Sequence, residues 1–517
     1  MSDPIRSVVI LGGGTAGWIT AGTLAARFKK DHAQPVSVTL VESPSVPTIG
    51  VGEGTWPTMR STLKKMGVRE TDFIRECNVG FKQGAKFARW TTGAEDDFYY
   101  HPLVLPEGFQ SHNLAPYWLA GGRQSSFSSA VCPQESLCEH NLAPKLIGTP
   151  EYSAVANYAY HLDAGKFSGF LQRHCTEYLG VHHILADVTG IVESENGDIA
   201  KLQTDTAGDI TGDLFIDCSG FRSRILGDHY QIPFRSCKDV LFIDSALAVQ
   251  VPYASEDSPI ATHTISTAQT AGWVWDIGLQ NRRGVGHVFS SAHTDESGAF
   301  RELAAYLKLS ESELDKLGVR KIPIEPGHRE KFWHRNCVAI GLSAGFLEPL
   351  EASALVLVEI SANMIAEQFP ASRAAMDVIA RRFNETFRYR WDRIIDFLKL
   401  HYVLTKRTDS EFWIDNCDPA TVPESLKELL TLWRYQPPWH EDFDRAVEVF
   451  PAASYQYVLY GMGFDTSASA FGLSSSHHEQ AQQLLRQKQN ATQQMLAGLE
   501  KHRNLINKIC QYGLQRV

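Results

Sequence analysis

Short β-branched runs alternate with helical stretches along the first half of the chain. Residues 7–11 (SVVIL) predict a strand, the segment from about Ala16 to Phe28 predicts a helix, and residues 36–42 (VSVTLVE) predict a second strand. Further apolar runs predict strands at 182–193, 214–220 and 240–251. The alternation indicates an α/β module whose first unit is strand, helix, strand.

The pattern changes to helices from about residue 371. Apolar side chains recur there at spacings of three and four, which predicts one long helix with a single apolar face. The residues of that face are Phe383, Phe387, Trp391, Ile394, Ile395 and Leu398. The Gly- and Ser-rich residues 461–480 predict a flexible connector or a mobile loop. We therefore expect an α/β module at 1–370 and a mainly helical module at 371–517.

One short predicted strand carries two tryptophans on the same side. In residues 272–278 (GWVWDIG), Trp273, Trp275 and Ile277 point one way under period-two alternation, and Val274 points the other. Two bulky aromatic side chains can fill a core or wall off a pocket for a flat substrate. Periodicity alone leaves both interpretations open.

Composition and charge exclude several classes of function. The chain has 517 residues, a net charge of -10 and no lysine- or arginine-rich run, which argues against nucleic-acid or anionic-membrane binding. There is no run of 18 apolar residues, so no membrane span is expected. The nine cysteines are scattered, without a CxxC or a cluster with histidine, so we expect neither disulfides nor a metal site. With no signal-peptide pattern, we expect a reduced, cytoplasmic protein.

A glycine motif follows the first predicted strand. Residues 12–17 (GGGTAG) match G-x-G-x-x-G and open a helix, and Glu42 ends the next strand. Glycines allow a pyrophosphate to approach the backbone, and an acid at that distance can bind a ribose. The predicted dinucleotide contacts are Gly12, Gly14, Thr15, Ala16, Gly17 and Glu42.

The dinucleotide is predicted to be FAD. Residues 214–223 (LFIDCSGFRS) resemble the strand-then-glycine segment of FAD-dependent monooxygenases, and no second G-x-G-x-x-G is present to hold NAD(P)H. The chain is therefore expected to need reduced FAD from elsewhere.

Further motifs resemble one family, the flavin-dependent tryptophan halogenases. The matching segments are PTIGVGEGTWP (47–57), FKQGAKFARW (81–90), GLSAGFLEPLEASAL (341–355), HYVLTKRTDSEFW (401–413) and WVWDIG (273–278), a variant of the family's WxWxIP. The resemblance covers most of the chain and is weak at 105–150 and after Gly463. Gly278 replaces the family's proline, which frees the backbone of the following turn. The resemblance implies a Rossmann-type FAD module of the flavin monooxygenase kind, with the helical module covering the substrate pocket.

The family's activity implies two catalytic residues. Reduced FAD, oxygen and chloride or bromide yield hypohalous acid, which halogenates an electron-rich ring. The family's lysine falls on Lys82, whose ammonium can donate hydrogen bonds to hypohalous acid; Lys86 shares a face with it whether the segment is strand or helix. The family's glutamate falls on Glu351, a candidate general base. Glu348 is the alternative, with a purely structural capping role as its other interpretation.

The resemblance also implies contacts for the halide and the flavin. Backbone amides of Ser353 and Ala354 match the family's halide-binding positions, although Ala352-Ser353 stands where the family usually has Ser-Thr. The other flavin contacts it implies are Gly50, Val51 and Gly52 of a flavin strap, with Val188, Asp217, Leu342 and Leu355. FAD hydroxylases of related fold usually carry aspartate where Leu342 stands, which favours a halogenase.

For the substrate, we expect an indole- or tryptophan-type ring. Trp273 and Trp275 are then predicted to stand between flavin and substrate pocket. The remaining pocket candidates are His101, Tyr455 and Tyr457, in a region whose only acid is Asp465. With a single acid to bind an ammonium, indole or a simple derivative is expected to react faster than free tryptophan.

A separate NAD(P)H-dependent flavin reductase is the expected partner, and a homodimer is compatible with this interpretation. Two other interpretations remain open: an FAD-dependent aromatic monooxygenase and a non-catalytic flavin-binding redox protein.

Overall fold

A computed structural model describes residues 4–31, 35–46, 52–445, 447–467 and 475–516. Within them the strands are β1 Ser7–Leu11, β2 Ser37–Glu42, β3 Gly52–Gly54, β4 Gly80–Lys82, β5 Gly84–Ala88, β6 Phe98–Pro102, β7 Ala159–Asp163, β8 His182–Leu185, β9 Val188–Glu193, β10 Ile199–Thr204, β11 Asp209–Thr211, β12 Leu214–Asp217, β13 Phe234–Ser236, β14 Ser245–Pro252, β15 Thr264–Ala268, β16 Gly272–Gly278, β17 Arg282–Phe289, β18 Arg320–Pro323, β19 Gly327–Arg329, β20 Trp333–His334, β21 Cys337–Ala339 and β22 Gly345–Phe346.

The same residues contain these α-helices: α1 Thr15–Asp31, α2 Thr58–Met66, α3 Glu70–Glu76, α4 Ala115–Ala120, α5 Phe127–Val131, α6 Gln134–Glu139, α7 Ala164–Tyr178, α8 Glu296–Leu307, α9 Glu311–Lys316, α10 Ser353–Glu367, α11 Arg373–Val403, α12 Glu411–Asn416, α13 Glu424–Trp433, α14 Ala452–Gly461, α15 Ser475–Gly498 and α16 His502–Tyr512.

The chain folds into two compact units, each assembled from three segments. The first unit comprises Met1–Val79, Leu162–Cys237 and Glu325–Trp391. The second comprises Gly80–His161, Lys238–Ile324 and Asp392–Val517. These units interleave along the sequence instead of meeting once near residue 370, and the functional division at 370 stays a prediction.

The first unit contains a six-stranded sheet in the order β20-β21-β12-β1-β2-β8. The strands from β21 to β8 pair in parallel, and β20 pairs antiparallel with β21. Val8, Val9 and Ile10 of β1 are all buried, as expected for a strand covered on both faces of a parallel sheet. The predicted strand-helix-strand start of the chain is therefore confirmed.

The second unit contains a seven-stranded sheet in the order β18-β14-β17-β16-β15-β5-β6. Only β15 and β5 pair in parallel. One face packs an apolar cluster, which includes Val274 and Val285, against Leu303 of α8. All seven residues of β16 are buried. The strand predicted for GWVWDIG is confirmed, and it is enclosed on both faces.

Two predicted strands differ from the structure. The run 182–193 forms β8 and β9, which belong to different sheets and are separated by Asp187, whose carboxylate accepts a hydrogen bond from Ser45. In the run 240–251 the strand begins only at Ser245. A turn at 238–240 and an irregular segment at 241–244 precede it, and Lys238 forms an ion pair with Asp244 at 2.6 Å between Nζ and Oδ2.

The predicted long helix is confirmed as α11, whose 31 residues include the whole apolar face. All six residues of that face are buried. Of the predicted flexible stretch at 461–480, residues 475–480 begin α15, and residues 468–474 lie outside the described part of the chain.

All nine cysteines are free thiols; seven are buried, and Cys417 and Cys510 are half-buried. The described residues hold no cluster of acids, histidines and cysteines able to ligate a metal ion. Among the helices described, none is long and apolar enough to cross a membrane.

Candidate active site

The glycine loop lies between β1 and α1 in the first unit. Gly12 has φ +119°, and a side chain on it would collide with the carbonyl oxygen of Cys218. A side chain on Gly17 would collide with the carbonyl oxygen of Gly12. Nothing described lies within 4 Å of where a Cβ of Gly14 would stand. Packing therefore requires glycine at positions 12 and 17, whereas Gly14 leaves an open backbone surface.

Glu42, at the end of β2, lies against this loop. A Cβ on Gly13 would stand against the Glu42 carboxyl group and displace it, so glycine here allows the carboxyl group to lie on the loop. The carboxylate accepts a hydrogen bond from His183, at 2.8 Å between Oε2 and Nε2. That hydrogen bond holds the carboxylate beside the loop.

Asp217, at the end of β12, is fully buried. Its carboxylate accepts hydrogen bonds from the backbone N–H groups of Ile225 at 2.8 Å and Leu226 at 3.1 Å. It also accepts from the hydroxyls of Ser219 at 2.5 Å and Ser343 at 3.1 Å. Asp217 therefore fixes the loops at this edge of the sheet, a role that sequence analysis did not anticipate.

Other predicted flavin contacts lie in the same unit. Leu342 is in a 3₁₀ turn that begins at Gly341, where an added Cβ would stand 2.8 Å from Cβ of Ala16. Thr15 begins α1, and the carbonyl of Val188 accepts from Arg224 at 2.7 Å. Leu355 is buried in the first turn of α10, and Gly52 is buried in β3. Gly50 and Val51 lie outside the described residues.

These residues fit a dinucleotide such as FAD. The glycine loop precedes α1, whose N-terminal N–H groups attract phosphate. The open surface at Gly14 allows the close backbone approach that a pyrophosphate requires.

The segment before α10 has an unusual backbone. Glu351 and Ala352 are consecutive residues at positive φ, +64° and +53°. This conformation is costly for residues that carry a side chain, and such strain concentrates at functional sites. Trp56 donates its Nε1–H to the carbonyl oxygen of Glu351 at 2.9 Å, which helps to hold the strained peptide.

No side chain caps the N-terminus of α10. The helix begins at Ser353, and its first turn contains no acid. Ser353 and Ala354 therefore stand where a 15-residue helix favours an anion. Glu351 is buried two residues before the helix, and Glu348 is buried without capping it.

Sequence analysis missed Glu359, which lies in the middle of α10 and is 1% exposed. Its carboxylate accepts hydrogen bonds from Thr58 at 3.1 Å and from Thr62, both on α2. Burial raises the pKa of Glu359 to about 7, although both hydroxyls oppose that rise. One glutamate inside the apolar run SALVLVEISANMI is the sequence signal that could have identified it.

In the second unit, the two candidate lysines occupy different strands. Lys82 ends β4 and is 2% exposed, whereas Lys86 lies in the middle of β5. Because the chain leaves one sheet for another at Gln83, the prediction that both lysines share one face was wrong. Lys86 forms an ion pair with Glu139, at 2.6 Å between Nζ and Oε1. The alternative lysine is thus engaged elsewhere.

Trp273 and Trp275 are both buried in β16. The Trp273 ring lies 6.2 Å from that of Trp90, centroid to centroid. Trp275 covers Gly286 of β17, where any side chain would collide with its ring. Both indoles are therefore held rigidly.

The remaining pocket candidates lie together around the start of α14. His101 is hydrogen-bonded through Nε2 to Ser454 Oγ at 2.9 Å, and its ring centroid lies 6.1 Å from that of Tyr457. Tyr455 and Tyr457 are each 1% exposed. Asp465, in contrast, is largely exposed and forms an ion pair with Arg123 at 2.6 Å. The structure brings the aromatic candidates together and directs the acid to a surface ion pair.

Comparison with known proteins identifies the class. A solved structure described as tryptophan halogenase from Shewanella frigidimarina superposes with a TM-score of 0.98 at 49% identity, covering 100% of this chain and 99% of that one. The structure of Tar14, described as a tryptophan C-6 flavin-dependent halogenase, gives a TM-score of 0.89 at 31% identity, covering 98% and 99%. The fold is thus the mixed α/β fold of flavin-dependent halogenases, with a helical C-terminal region, as predicted.

The family follows from the sequence comparison. The model of the tryptophan halogenase family matches residues 7–475. Tryptophan 6-halogenase ThaL from Streptomyces albogriseolus is 32% identical over 451 residues, 84% of this chain and 83% of that protein. The chain belongs to the tryptophan halogenase family and is an FAD-dependent halogenase-family enzyme.

Proposed function

We propose that this enzyme halogenates an indole-type ring with hypohalous acid made from chloride or bromide, using reduced FAD from a separate NAD(P)H-dependent flavin reductase. Membership of the family supports the reaction class. The observation that carries the proposal is the uncapped N-terminus of α10, preceded by two residues at positive φ. An anion near Ser353 and Ala354 is favoured by the positive end of the α10 dipole and makes use of a costly backbone conformation.

The glycine loop and its neighbours hold the FAD in this proposal. The loop and the start of α1 bind the pyrophosphate, and Glu42 accepts hydrogen bonds from the ribose. Reduced FAD, when bound, supplies the electrons that reduce oxygen and so allow halide to be oxidised. Asp217 does not contact the FAD in this proposal; it fixes the loops beside Leu342, through its hydrogen bond with Ser343.

Lys82 and Glu351 act on the halogenating agent in this proposal. The Lys82 ammonium has only N–H donors to offer, and it hydrogen-bonds the oxygen of hypohalous acid. Glu351 accepts the proton that the ring loses as it regains aromaticity. Burial of both groups supports these roles, because electrostatic interactions are stronger where water is excluded.

Trp273 and Trp275 form the wall that keeps the organic substrate from the flavin. The close packing of Trp273 against Trp90 and of Trp275 against Gly286 supports this role, because a barrier between two sites has to stay in place when a small molecule binds. Without it, direct oxygen transfer to the ring would compete with halogenation.

Indole or a simple derivative is the preferred substrate in this proposal. Free tryptophan needs a partner for its ammonium, and a buried charge without one costs several kcal/mol, on the order of 3–5. Asp465, the acid that follows α14, is exposed and forms an ion pair with Arg123. The buried aromatics His101, Tyr455 and Tyr457 can bind a ring without requiring a charge.

Single-turnover incubation tests the reaction class. The protein is mixed with reduced FAD, oxygen, bromide and a panel of indoles, and products are identified by mass spectrometry. Brominated product is expected, and omitting bromide should abolish it. A hydroxylated product that forms without halide would establish a monooxygenase instead, and no oxygen-dependent product with any arene would establish a non-catalytic flavoprotein.

A competition tests the substrate. With equimolar indole and tryptophan in one vessel, bromoindole should predominate, since no binding energy is lost to an unpaired ammonium. Predominant bromotryptophan would refute the indole preference and leave the reaction class intact.

A further inference from the structure

One face of α7 contacts the glycine loop in the first unit. Ser168 and Gln172 are four residues apart on this helix, so their side chains share a face. The hydroxyl of Ser168 donates to the carbonyl oxygen of Gly13 at 3.0 Å. Ser168 is 5% exposed, and a hydrogen bond that is shielded from water is electrostatically stronger. The helix therefore holds the loop at the peptide that joins Gly13 to Gly14.

The hydrogen bond from Ser168 fixes the orientation of this peptide. In a planar trans peptide, the carbonyl of one residue and the N–H of the next residue point in opposite directions. Because the Gly13 carbonyl is directed at α7, the Gly14 N–H points away from that helix. No backbone acceptor among the described residues receives this N–H. It can therefore donate to a ligand on the side of the loop opposite α7.

Glycine on both sides of the peptide makes such a contact necessary. Gly13 and Gly14 have no Cβ to restrict backbone rotation, so the peptide could turn over and present its carbonyl oxygen to the ligand. A carbonyl oxygen in that place repels a phosphate, whereas an N–H attracts it. The Ser168 hydroxyl favours the orientation that presents the N–H, because it offers the Gly13 carbonyl a donor on the side of α7.

The second residue of this face reaches Glu42 through one imidazole. Gln172 Nε2 lies 3.1 Å from Nδ1 of His183 in β8, and His183 Nε2 lies 2.8 Å from Glu42 Oε2. An amide N–H can only donate, so Nδ1 holds the lone pair, and Nε2 holds the proton that Glu42 accepts. Trp18 packs edge-on against the imidazole, at 5.1 Å between ring centroids, and restrains it. This arrangement holds the carboxylate through Oε2 and leaves Oε1 to accept from a ribose hydroxyl.

We infer that this face of α7 positions both groups that bind the dinucleotide. Ser168 directs the Gly14 N–H at the pyrophosphate. Gln172, acting through His183, holds the Glu42 carboxylate for the ribose. The inference rests on the proposed function of the glycine loop and Glu42. Ser168, Gln172 and His183 do not touch FAD in this arrangement and are positioning residues, supplied by elements outside the strand-loop-helix unit that carries the glycine motif.

The affinity for FAD, measured from the change in flavin fluorescence on titration, tests the role of Ser168. Ser168→Ala should bind FAD about fivefold more weakly, which corresponds to one neutral hydrogen bond. Ser168→Thr keeps the hydroxyl and should recover most of that loss. Thr176→Ala is the matched control and should bind FAD as the parent does, because this hydroxyl donates only to carbonyls of its own helix. Unchanged FAD affinity in a folded Ser168→Ala overturns the role of Ser168.

A double-mutant cycle tests the contact between His183 and Glu42. His183→Leu should bind FAD about tenfold more weakly, because a hydrogen bond to a charged group is lost. In a Glu42→Ala background the same substitution should have little further effect, since the carboxylate that it positions is gone. Gln172→Leu should weaken binding less than His183→Leu, because the imidazole keeps its contact with Trp18. Additive losses in the cycle would overturn the role of His183.

Riboflavin separates positioning from folding. It lacks the pyrophosphate and the adenosine, so its affinity should be the same in the parent, Ser168→Ala and His183→Leu. Equal losses of riboflavin and FAD affinity would mean that these residues only stabilise the fold, and would overturn the inference. Should Ser168→Ala fail to fold, Ser168→Cys, which has a similar size and only a weak donor, takes its place in the same comparison.

The proposed function and this inference fail differently. Parent-level FAD affinity in both Gly14→Val and Glu42→Ala would refute the proposed placement of the dinucleotide. Weakened binding in those two variants, together with parent-level affinity in Ser168→Ala and additive losses in the His183 cycle, would leave that placement standing and overturn the role of α7.

Discussion

Glu359 should make the folded state less stable as pH rises, and its replacement by glutamine should remove that dependence. The side chain is 1% exposed and receives hydrogen bonds only from the hydroxyls of Thr58 and Thr62 among the interactions described. Two hydroxyls do not replace the hydration of a carboxylate, so burial raises its pKa from 4.5 to about 7.

The sign follows from which state holds the proton. Between pH 4.5 and about 7 the folded protein keeps this proton and the unfolded chain releases it, so the free energy of unfolding falls as pH rises. Above that range Glu359 is ionised in both states, and the decrease in the free energy of unfolding stays constant at about 3 kcal/mol, because each pKa unit is worth roughly 1.4 kcal/mol. Glu359→Gln keeps the shape and has no proton to lose.

Thermal midpoints of parent and variant at about pH 5 and about pH 8 test this reasoning. The melting temperature of Glu359→Gln should exceed that of the parent by on the order of 5 °C at the higher pH. At the lower pH the difference in melting temperature should be much smaller. Glu367→Gln, at the exposed end of the same helix, is the matched control and should behave as the parent at both. A gain of equal size at both pH values, or a larger gain at the lower pH, would refute the argument.

Three further variants test the candidate site. Lys82→Ala should retain FAD and lose bromination of indole, measured beside Lys86→Ala as the matched control; bromination at the parent rate would disprove its role. Glu351→Gln should lower turnover by roughly 10²–10⁴-fold, the usual contribution of a general base, and a loss confined to Glu348→Gln would move the role to that residue. Gly14→Val should weaken FAD binding without lowering the melting temperature of the FAD-free protein, because the position is open; an unchanged FAD affinity would contradict the placement of the pyrophosphate.

The strand-helix-strand start and the face of α11 could be predicted because each depends on a local period. The glycine motif could be predicted because its spacing follows a local strand-loop-helix pattern, and Gly17 is required by the carbonyl of Gly12 within that unit; the contact of Gly12 with Cys218, which lies far away in the sequence, could not be predicted. The resemblance of five segments then supplied the family, which the comparisons confirm.

Other features depend on contacts that no local pattern encodes. Lys82 and Lys86 are separated because the chain changes sheets at Gln83; β4 pairs with β7 and β5 pairs with β15, and both partners lie far away in the sequence. The positive φ of Glu351 and Ala352 could not be foreseen, because neither residue type favours that conformation.

The burial of the cysteines has a consequence for the lifetime of the enzyme under the proposed reaction, in which hypohalous acid is made. Thiols are oxidised by such reagents chiefly as thiolates, and damage beyond the sulfenic acid is hard to reverse. None of the nine sulfur atoms belongs to an exposed residue, and burial raises the pKa of Cys132 to about 11 and that of Cys175 to about 12. Oxidant that leaks from the active site therefore meets few accessible thiols, and of the nine cysteines only the half-buried Cys417 and Cys510 are partly open to it.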